Sequence, residues 1–140
     1  MKEIKEYWQV ANSNKSKFMR KKMRKILRAR FFRDDAGHKQ GEFKEWHSNG
    51  QLRTHMFYKN SNMEGLCKTY HENGKICEEG FYKDNRGHGE FIVKNKEGNI
   101  TEHSIYVHST LMERIDTLTP EDKLFLSLKY GVPMLGDIND

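Results

Sequence analysis

Apolar and aromatic positions recur along the middle of the chain with a period of 24 residues. Residues 41–64, 65–88 and 89–112 align without gaps, and alternating apolar and polar positions run on either side of a central glycine in each segment. A fixed period of this length is typical of a repeat architecture in which each unit contacts only its neighbours. The aligned columns are Gly41, Gly65 and Gly89; Phe43, Cys67 and Phe91; Trp46, Tyr70 and Lys94; Gly50, Gly74 and Gly98; Phe57, Phe81 and Ile105; and Tyr58, Tyr82 and Tyr106.

Each unit has the pattern of a β-hairpin. The pairs Asn49-Gly50 and Asn73-Gly74 lie between two alternating runs, and an Asn-Gly pair typically supplies both positive-φ residues of a type I′ turn. We therefore predict that these pairs are the two turn residues. In this register Tyr70 faces Cys77, and Cys67 faces Gly80. The two cysteines then lie about three rungs apart, too far to form a disulfide.

Both faces of the predicted sheet carry aromatic side chains. A single sheet does not bury both faces by itself, so we expect one face to pack against the terminal segments and the other to be open for binding. The alternative is that all of these aromatics form the core. The predicted register places Phe43, His47, Leu52, Met56 and Tyr58 on one face, with Trp46, Arg53 and Phe57 on the other. The predicted protein-interaction surface consists of Trp46, Phe57, Tyr58, Tyr70, Phe81 and Tyr82.

The order Gly-x-Phe-x-x-Trp-His-x-Asn-Gly-x-Leu from Gly41, followed by Phe-Tyr-Lys-Asn, resembles the MORN-repeat variant of bacterial antitoxin-type proteins. It is also similar to MORN-repeat proteins of large DNA viruses of the marseillevirus type. The resemblance extends from Phe31 to about Tyr106. It implies a mainly β fold, namely an elongated single-layer antiparallel sheet of consecutive hairpins, and a non-enzymatic scaffold for protein-protein contacts.

The viral resemblance further implies a structural or accessory protein of the virion or host cytoplasm, with capsid or virion components as partners. The bacterial resemblance implies an antitoxin-like inhibitor of a partner protein. The chain lacks the second glycine that commonly follows the position of Gly41, and Lys94 replaces the third aromatic of its column. For these reasons we do not expect peripheral contact with lipid.

Charge is distributed unevenly along the chain. Residues 1–33 hold twelve Lys and Arg against two Glu, whereas the remaining residues have a net charge of about −5. A segment of about +10 suggests an anionic partner, and nucleic acid is the alternative to a protein partner. The candidate residues are Arg20, Lys21, Lys22, Arg24, Lys25, Arg28 and Arg30, with Phe18, Phe31 or Phe32 available for stacking on bases.

Two interpretations compete for the basic residues 15–30. Met19, Met23, Ile26 and Leu27 fit an amphipathic helix. The alternative, which we favour, is a degenerate first hairpin, because residues 25–43 resemble residues 75–91 with two residues inserted before Gly41. That alignment places Ile26 beside Ile76, Phe31 beside Phe81 and Phe32 beside Tyr82.

A capping helix is predicted over residues 119–131. Thr119 is a suitable N-cap, Pro120 fits the first helical position, and Gly131 with Pro133 ends the helix. We expect Leu124, Phe125 and Leu128 to pack over the last hairpin, because the end of a repeat stack needs a cap. The predicted division is thus a basic region 1–30, hairpin repeats 31–110 and a C-terminal cap 111–140.

The sequence offers no motif for catalysis, metal binding or a cofactor. Seven histidines are present, and His47 shares a column with His71, but their spacing does not match a metal motif. No glycine-rich phosphate loop and no nucleophile with a paired base are found. No apolar run is long enough to span a membrane, and residues 1–10 lack the apolar core of a signal peptide, so we expect a protein that is not secreted.

Overall fold

A computed structural model describes residues 1–11, 23–116 and 119–136. Within these residues the chain forms ten strands and one helix. The strands are β1 (Lys2–Ala11), β2 (Met23–Arg33), β3 (Gly41–Trp46), β4 (Leu52–Lys59), β5 (Asn62–Met63), β6 (Gly65–Tyr70), β7 (Ile76–Lys83), β8 (Arg86–Lys94), β9 (Ile100–Val107) and β10 (Thr110–Arg114), and the helix is α1 (Pro120–Tyr130).

The strands form one open antiparallel sheet in chain order, β1-β2-β3-β4-β6-β7-β8-β9-β10, and the short β5 pairs with β4. Consecutive strands are neighbours because tight loops join them. The predicted mainly β fold of consecutive hairpins with a C-terminal helix is confirmed. The sheet is continuous from the first strand, and residue 30 falls within β2.

The loops inside the repeats differ from the predicted type I′ turns. Gly50 has a φ of 88°, but Asn49 does not have a positive φ. The Gly50 amide donates to His47 O (3.0 Å), and the His47 amide donates to Gln51 O (2.8 Å). This is a three-residue loop in which a type I turn is followed by a left-handed glycine and a bulge. The bulge accounts for the pairings that were predicted incorrectly next to the loop, because Ile76 faces Tyr70 rather than His71, and Cys77 does not face Tyr70.

Two-residue turns with positive φ at both positions occur instead after the second strand of each hairpin, where they lead into the next one. Asn60 and Ser61 have φ values of 49° and 65°, and the pairs Asp84-Asn85 and His108-Ser109 have nearly the same values. These are the primed turns that match the twist of the flanking strands. The sequence interpretation missed them because none of the three pairs has glycine, the usual second residue of such a turn.

The N-terminal region is a hairpin rather than a helix where the structure describes it. Residues 23–30 belong to β2, which pairs with β1, so the helical alternative is wrong for them; residues 12–22 lie outside the described part. The sequence alignment of this region is shifted by one residue. Arg33 pairs with Lys39 as Tyr82 pairs with Gly87, so Arg33, not Phe32, occupies the tyrosine column. Because side chains alternate between the faces of a strand, a shift of one residue places Phe31 on the core side, where it is 4% exposed.

The two faces of the sheet have different surroundings. We call the face with Phe43 and Tyr58 the aromatic face, and Phe43 packs there with Phe31, Ala29 and Met56. The opposite face carries Phe57, as predicted by the alternation along β4. We call it the helix face, because α1 packs on it near the end of the sheet. Its core consists of Ile105, Leu126 and Val132.

The helix begins and ends as predicted, but a different side of it is buried. Thr119 and Asp122 form a capping box, and Gly131 ends the helix with a φ of 63°. Leu126 is the buried helical residue, whereas the expected contact residues Leu124, Phe125 and Leu128 are 63%, 64% and 75% exposed. Their predicted burial is therefore wrong. No helix in the described ranges is long and apolar enough to cross a membrane.

Candidate protein-binding surfaces

Trp8 of β1 and the histidines His47 and His71 at the intra-repeat loops tie each hairpin to the next. In each of these bonds the acceptor is the backbone carbonyl of Trp46 or of a residue in its column, Tyr70 or Lys94. A carbonyl oxygen can only accept, so His47 and His71 must carry a proton on Nε2 in order to donate. The histidine column predicted to be unsuited to metal binding is thus part of a hydrogen-bonded ladder. Its bonds are Trp8 Nε1 to Trp46 O (3.2 Å), His47 Nε2 to Tyr70 O (2.8 Å) and His71 Nε2 to Lys94 O (2.8 Å).

An asparagine in the same loops makes a second link. Asn49 donates from Nδ2 to Glu72 O (2.8 Å), and its Oδ1 accepts from the Gln51 amide (2.9 Å). Asn73 repeats both bonds in the following unit. These links hold adjacent loops in fixed relative positions. Among the described residues, no group of three His, Cys, Asp or Glu side chains is placed to bind a metal ion.

The row Phe57, Phe81 and Ile105 on the helix face runs from open to covered. Ile105 is fully buried beneath Leu126 and Val132. Phe81 lines a cavity of about 430 Å³ together with Pro133 of the C-terminal tail. Phe57 is 39% exposed. The described part of the C-terminal segment, up to residue 136, therefore covers the last position of the row, borders the middle one and leaves the first one open.

A buried carboxylate anchors this segment. Glu90 is fully buried, and its Oε1 accepts a hydrogen bond from the Leu135 amide (2.7 Å). Its Oε2 lies 2.6 Å from His103 Nε2, and Lys123 Nζ lies 3.5 Å from Oε1. Lys123 also donates to Leu135 O (2.6 Å). These bonds fix the rotation of α1, which explains why Leu126 is buried instead of Leu124.

The first repeat contains the same arrangement, and none of the residues that the structure describes covers it as α1 covers Ile105. Glu42 and His55 occupy the columns of Glu90 and His103, and their Oε2 and Nε2 atoms are 3.1 Å apart. Phe57 stands in the column of Ile105. We call Glu42, His55 and Phe57 the open triad. The His-Glu spacing of 13 residues in both repeats was visible in the sequence, but it was not recognised as a signal.

The six residues predicted to form one interaction surface lie in three places. Phe57 and Phe81 are on the helix face, whereas Tyr58 and Tyr82 are on the aromatic face. Burial raises the pKa of both tyrosine hydroxyls. The remaining two, Trp46 and Tyr70, end β3 and β6 beside the loops, where their carbonyls accept the ladder bonds. A partner that binds one flat surface therefore contacts only a subset of the six.

The candidate basic residues are partly engaged. Arg24, Lys25 and Arg28 are exposed on β2, and the Arg28 guanidinium lies 4.7 Å from the centre of the Trp8 ring. Arg30 is 3.6 Å from a carboxylate oxygen of Glu3 and 3.5 Å from one of Glu42. Its charge is thus balanced within the sheet. Arg20, Lys21 and Lys22 lie outside the described residues.

Comparison with known proteins agrees with the hairpin repeats. The sequence profile of the MORN repeat variant family matches residues 39–60 and 63–84. No curated protein and no solved structure matches the chain. The resemblance to antitoxin-type and viral proteins stays a prediction. MORN repeats are in general scaffolds that bind proteins or membranes, and residues 39–60 and 63–84 of this chain are similar to such repeats.

Proposed function

We propose that the chain is a non-enzymatic scaffold whose open triad binds an apolar, lysine-bearing helical segment of another protein. The observation that carries this proposal is the repetition of the α1 docking site. Glu90, His103 and Ile105 hold the chain's own C-terminal segment, and the open triad presents the same columns 48 residues earlier, uncovered by any part of residues 1–11, 23–116 and 119–136.

The chemistry of the open triad supports this kind of partner. Phe57 offers an apolar ring beside the His55 imidazole, with ring centres 5.3 Å apart. Glu42 offers a carboxylate, as Glu90 does to Lys123 of α1. Arg30 lies 3.5 Å from Glu42, so a partner lysine competes with that contact. An exposed ion pair of this type contributes at most about 1 kcal/mol, which a buried apolar contact outweighs.

The outer side of α1 adds a second apolar surface on the same side of the sheet. Leu124 and Leu128 are one helical turn apart, and Phe125 is three residues before Leu128, so the three side chains form one patch. Large exposed apolar patches on soluble proteins commonly mark contact sites. A partner that lies along the helix face next to α1 would bury these side chains as well.

A peptide of residues 119–136, capped at both ends, provides the test. We expect it to bind the full-length chain and to shift the NMR signals of Phe57 and His55, because it carries Lys123 and the apolar residues that dock at Glu90. Phe57→Ala and Glu42→Ala should each weaken binding several-fold. The matched control is Phe91→Leu, which changes an aromatic residue on the opposite face and should leave the affinity unchanged.

Peptide binding that is unaffected by both substitutions would contradict the proposal. So would the absence of shifts at Phe57 with millimolar peptide. A peptide in which Lys123 is replaced by Ala separates the contribution of the ammonium group from that of the apolar contact.

A second candidate is binding of nucleic acid through β2. Arg24, Lys25 and Arg28 are exposed there, and aromatic rings of Tyr7 and Trp8 lie beside them. Cationic and aromatic side chains together favour single-stranded nucleic acid. Replacing the three basic residues by Gln should weaken binding of an oligonucleotide and flatten its dependence on salt, since fewer counterions are released. An unchanged salt slope would exclude this surface.

The setting inferred from sequence resemblance is a virus-encoded structural or accessory protein, with capsid or other virion components as the partners of the helix face. Mass spectrometry of purified particles tests this setting. An antitoxin-like role instead predicts a stoichiometric complex with one enzyme whose activity falls on binding. The two settings differ in the partner but share the same contact surface.

A further inference from the structure

A small aromatic cleft opens on the aromatic face near the end of the sheet. Its volume is about 210 Å³, and Tyr82, Phe91 and Tyr106 form its walls beside Gly87. The rings of Phe91 and Tyr106 meet edge to face, with centres 5.8 Å apart and planes at 84°. The cleft is open at the position of Gly87 because this residue has no side chain.

Just before the first repeat, a lysine stands in the position that corresponds to Gly87. Lys39 precedes Gly87 by two repeat periods, and both residues make the same backbone bonds to a primed turn. The Lys39 amide donates to Ser61 Oγ (3.0 Å) and its carbonyl accepts from the Ser61 amide (2.9 Å). The Gly87 amide donates to Ser109 Oγ (3.1 Å), and its carbonyl accepts from the Ser109 amide (2.8 Å). The two positions are structurally equivalent.

The Lys39 ammonium fills the cleft of the first repeat. Its Nζ lies 5.0 Å from the ring centre of Phe31, 5.2 Å from that of Phe43 and 5.0 Å from that of Tyr58. These distances are within the range of cation–π attraction. Phe43 and Tyr58 meet edge to face at 5.5 Å, as Phe91 and Tyr106 do.

The third wall differs between the two clefts. In the cleft that holds Lys39 it is Phe31 of β2, whereas in the other cleft it is Tyr82 of the second repeat, which lies directly opposite Gly87 in the strand pairing. Both are aromatic. The chain therefore shows, in its own first repeat, which chemical group fits between these walls.

A carboxylate beside the empty cleft favours a cation. Glu102 Oε1 accepts a hydrogen bond from the Tyr106 hydroxyl (2.6 Å), and this bond raises the pKa of Tyr106. Arg114 acts on the same hydroxyl in the opposite direction, but the effect of Glu102 is larger. The carboxylate thus contacts one wall of the cleft through the Tyr106 hydroxyl, and its negative charge favours a cation there over an anion.

We propose that the cleft of Tyr82, Phe91 and Tyr106 binds the ammonium group of a lysine side chain from another protein. The bound lysine occupies the place that Lys39 fills in the first repeat. The site is on the face opposite the open triad, so it does not depend on the helical segment proposed above.

The test uses Nα-acetyl-lysine N-methylamide as the probe and NMR of the full-length chain with labelled Tyr and Phe rings. We expect saturable shifts at Tyr82 and Tyr106. The same probe acetylated on Nε should bind about 2- to 30-fold more weakly, the range that corresponds to cation–π attraction. Equal binding of the two probes would overturn the proposal, as would binding of tetramethylammonium without binding of the lysine probe.

Two substitutions test the position of the site. Gly87→Lys should fill the cleft and abolish binding, and the structure accommodates it because Gly87 does not have a positive φ and an added Cβ lies 3.7 Å from the nearest atom. Gly87→Ala is the matched control, since it adds only the Cβ and should retain binding. Lys39→Gly should create a second site at Phe43 and Tyr58. Binding by Gly87→Lys with unchanged affinity would show that the probe binds elsewhere and would overturn the proposal.

Discussion

The buried carboxylate of Glu90 is expected to control whether the C-terminal segment stays on the sheet. Glu90→Ala removes the acceptor of the Leu135 amide and the partner of His103 and Lys123. Breaking a buried ion pair by removing one member costs about 3 to 5 kcal/mol, because the other charge is left without compensation. The truncated side chain also leaves a cavity beneath Leu135. We therefore expect the free energy of opening the C-terminal segment from the sheet to fall by about 3 to 5 kcal/mol.

Glu90→Gln should cost less, about 1 to 2 kcal/mol. The amide oxygen still accepts from Leu135 N, and the amide nitrogen donates to His103 if that ring changes its tautomer. Glu90→Gln removes the negative charge that faces Lys123. The cost of this loss is small because the Lys123 side chain is 23% exposed, so water partly solvates its ammonium group. The difference in stability loss between Glu90→Ala and Glu90→Gln therefore separates the effect of losing the hydrogen bonds from the effect of losing the charge alone.

Amide hydrogen exchange measured by NMR reports the opening of the segment directly. A loss of 3 kcal/mol corresponds to an increase of about 100-fold in the exchange rate of the Leu135 amide. The amide of Lys44 in the first hairpin should exchange at the same rate as before, since repeat units contact only their neighbours. Glu79→Ala is the control, because Glu79 is half-buried on the same face and faces Lys68 across the strands. Unchanged exchange at Leu135 in Glu90→Ala would refute the anchoring role.

Three further predictions concern the repeats. His47→Ala should lower the free energy of unfolding by about 1 to 3 kcal/mol in urea denaturation, because the carbonyl of Tyr70 loses its partner. A change below about 0.5 kcal/mol, the usual effect of a surface substitution, would contradict the ladder. Gly50→Ala should cost about 1 kcal/mol, and Gly50→Asn less, because φ is 88° and no atom lies near the added Cβ. Equal melting temperatures for wild type and both variants would disprove the positive-φ turn. Burial raises the pKa of the Cys67 thiol to about 11, so roughly one thiol in a thousand is ionised at pH 8 and iodoacetamide should modify the less buried Cys77 first. Alkylation of Cys67 should accelerate as the pH rises towards 11, and rapid modification at pH 8 would contradict its burial.

Much of the architecture was predictable from local signals. The period of 24 residues and the central glycines indicated hairpins in a single sheet, because alternation and turn residues depend on a few neighbouring positions. The helix boundaries at Thr119 and Gly131 were predictable for the same reason, since capping is determined by the residues at the ends themselves. The pairing of Cys67 with Gly80 was also correct, although the turn type was wrong, because the bulge absorbs the extra loop residue.

The tertiary structure decided which side of each element is buried. By its sequence alone, the apolar stripe of Leu124 and Leu128 fits the buried face of a helix as well as the side of Leu126 does. The contact of Lys123 with Glu90 and the burial of Val132 rotate α1 so that this stripe faces solvent. One inserted residue before Gly41, where two were expected, moved Phe31 into the core. Such choices depend on contacts between residues far apart in the chain, whereas periodicity and capping depend on neighbours. The sequence by itself therefore determined the hairpins and the helix, and only tertiary contacts determined the covered and open positions along the helix face.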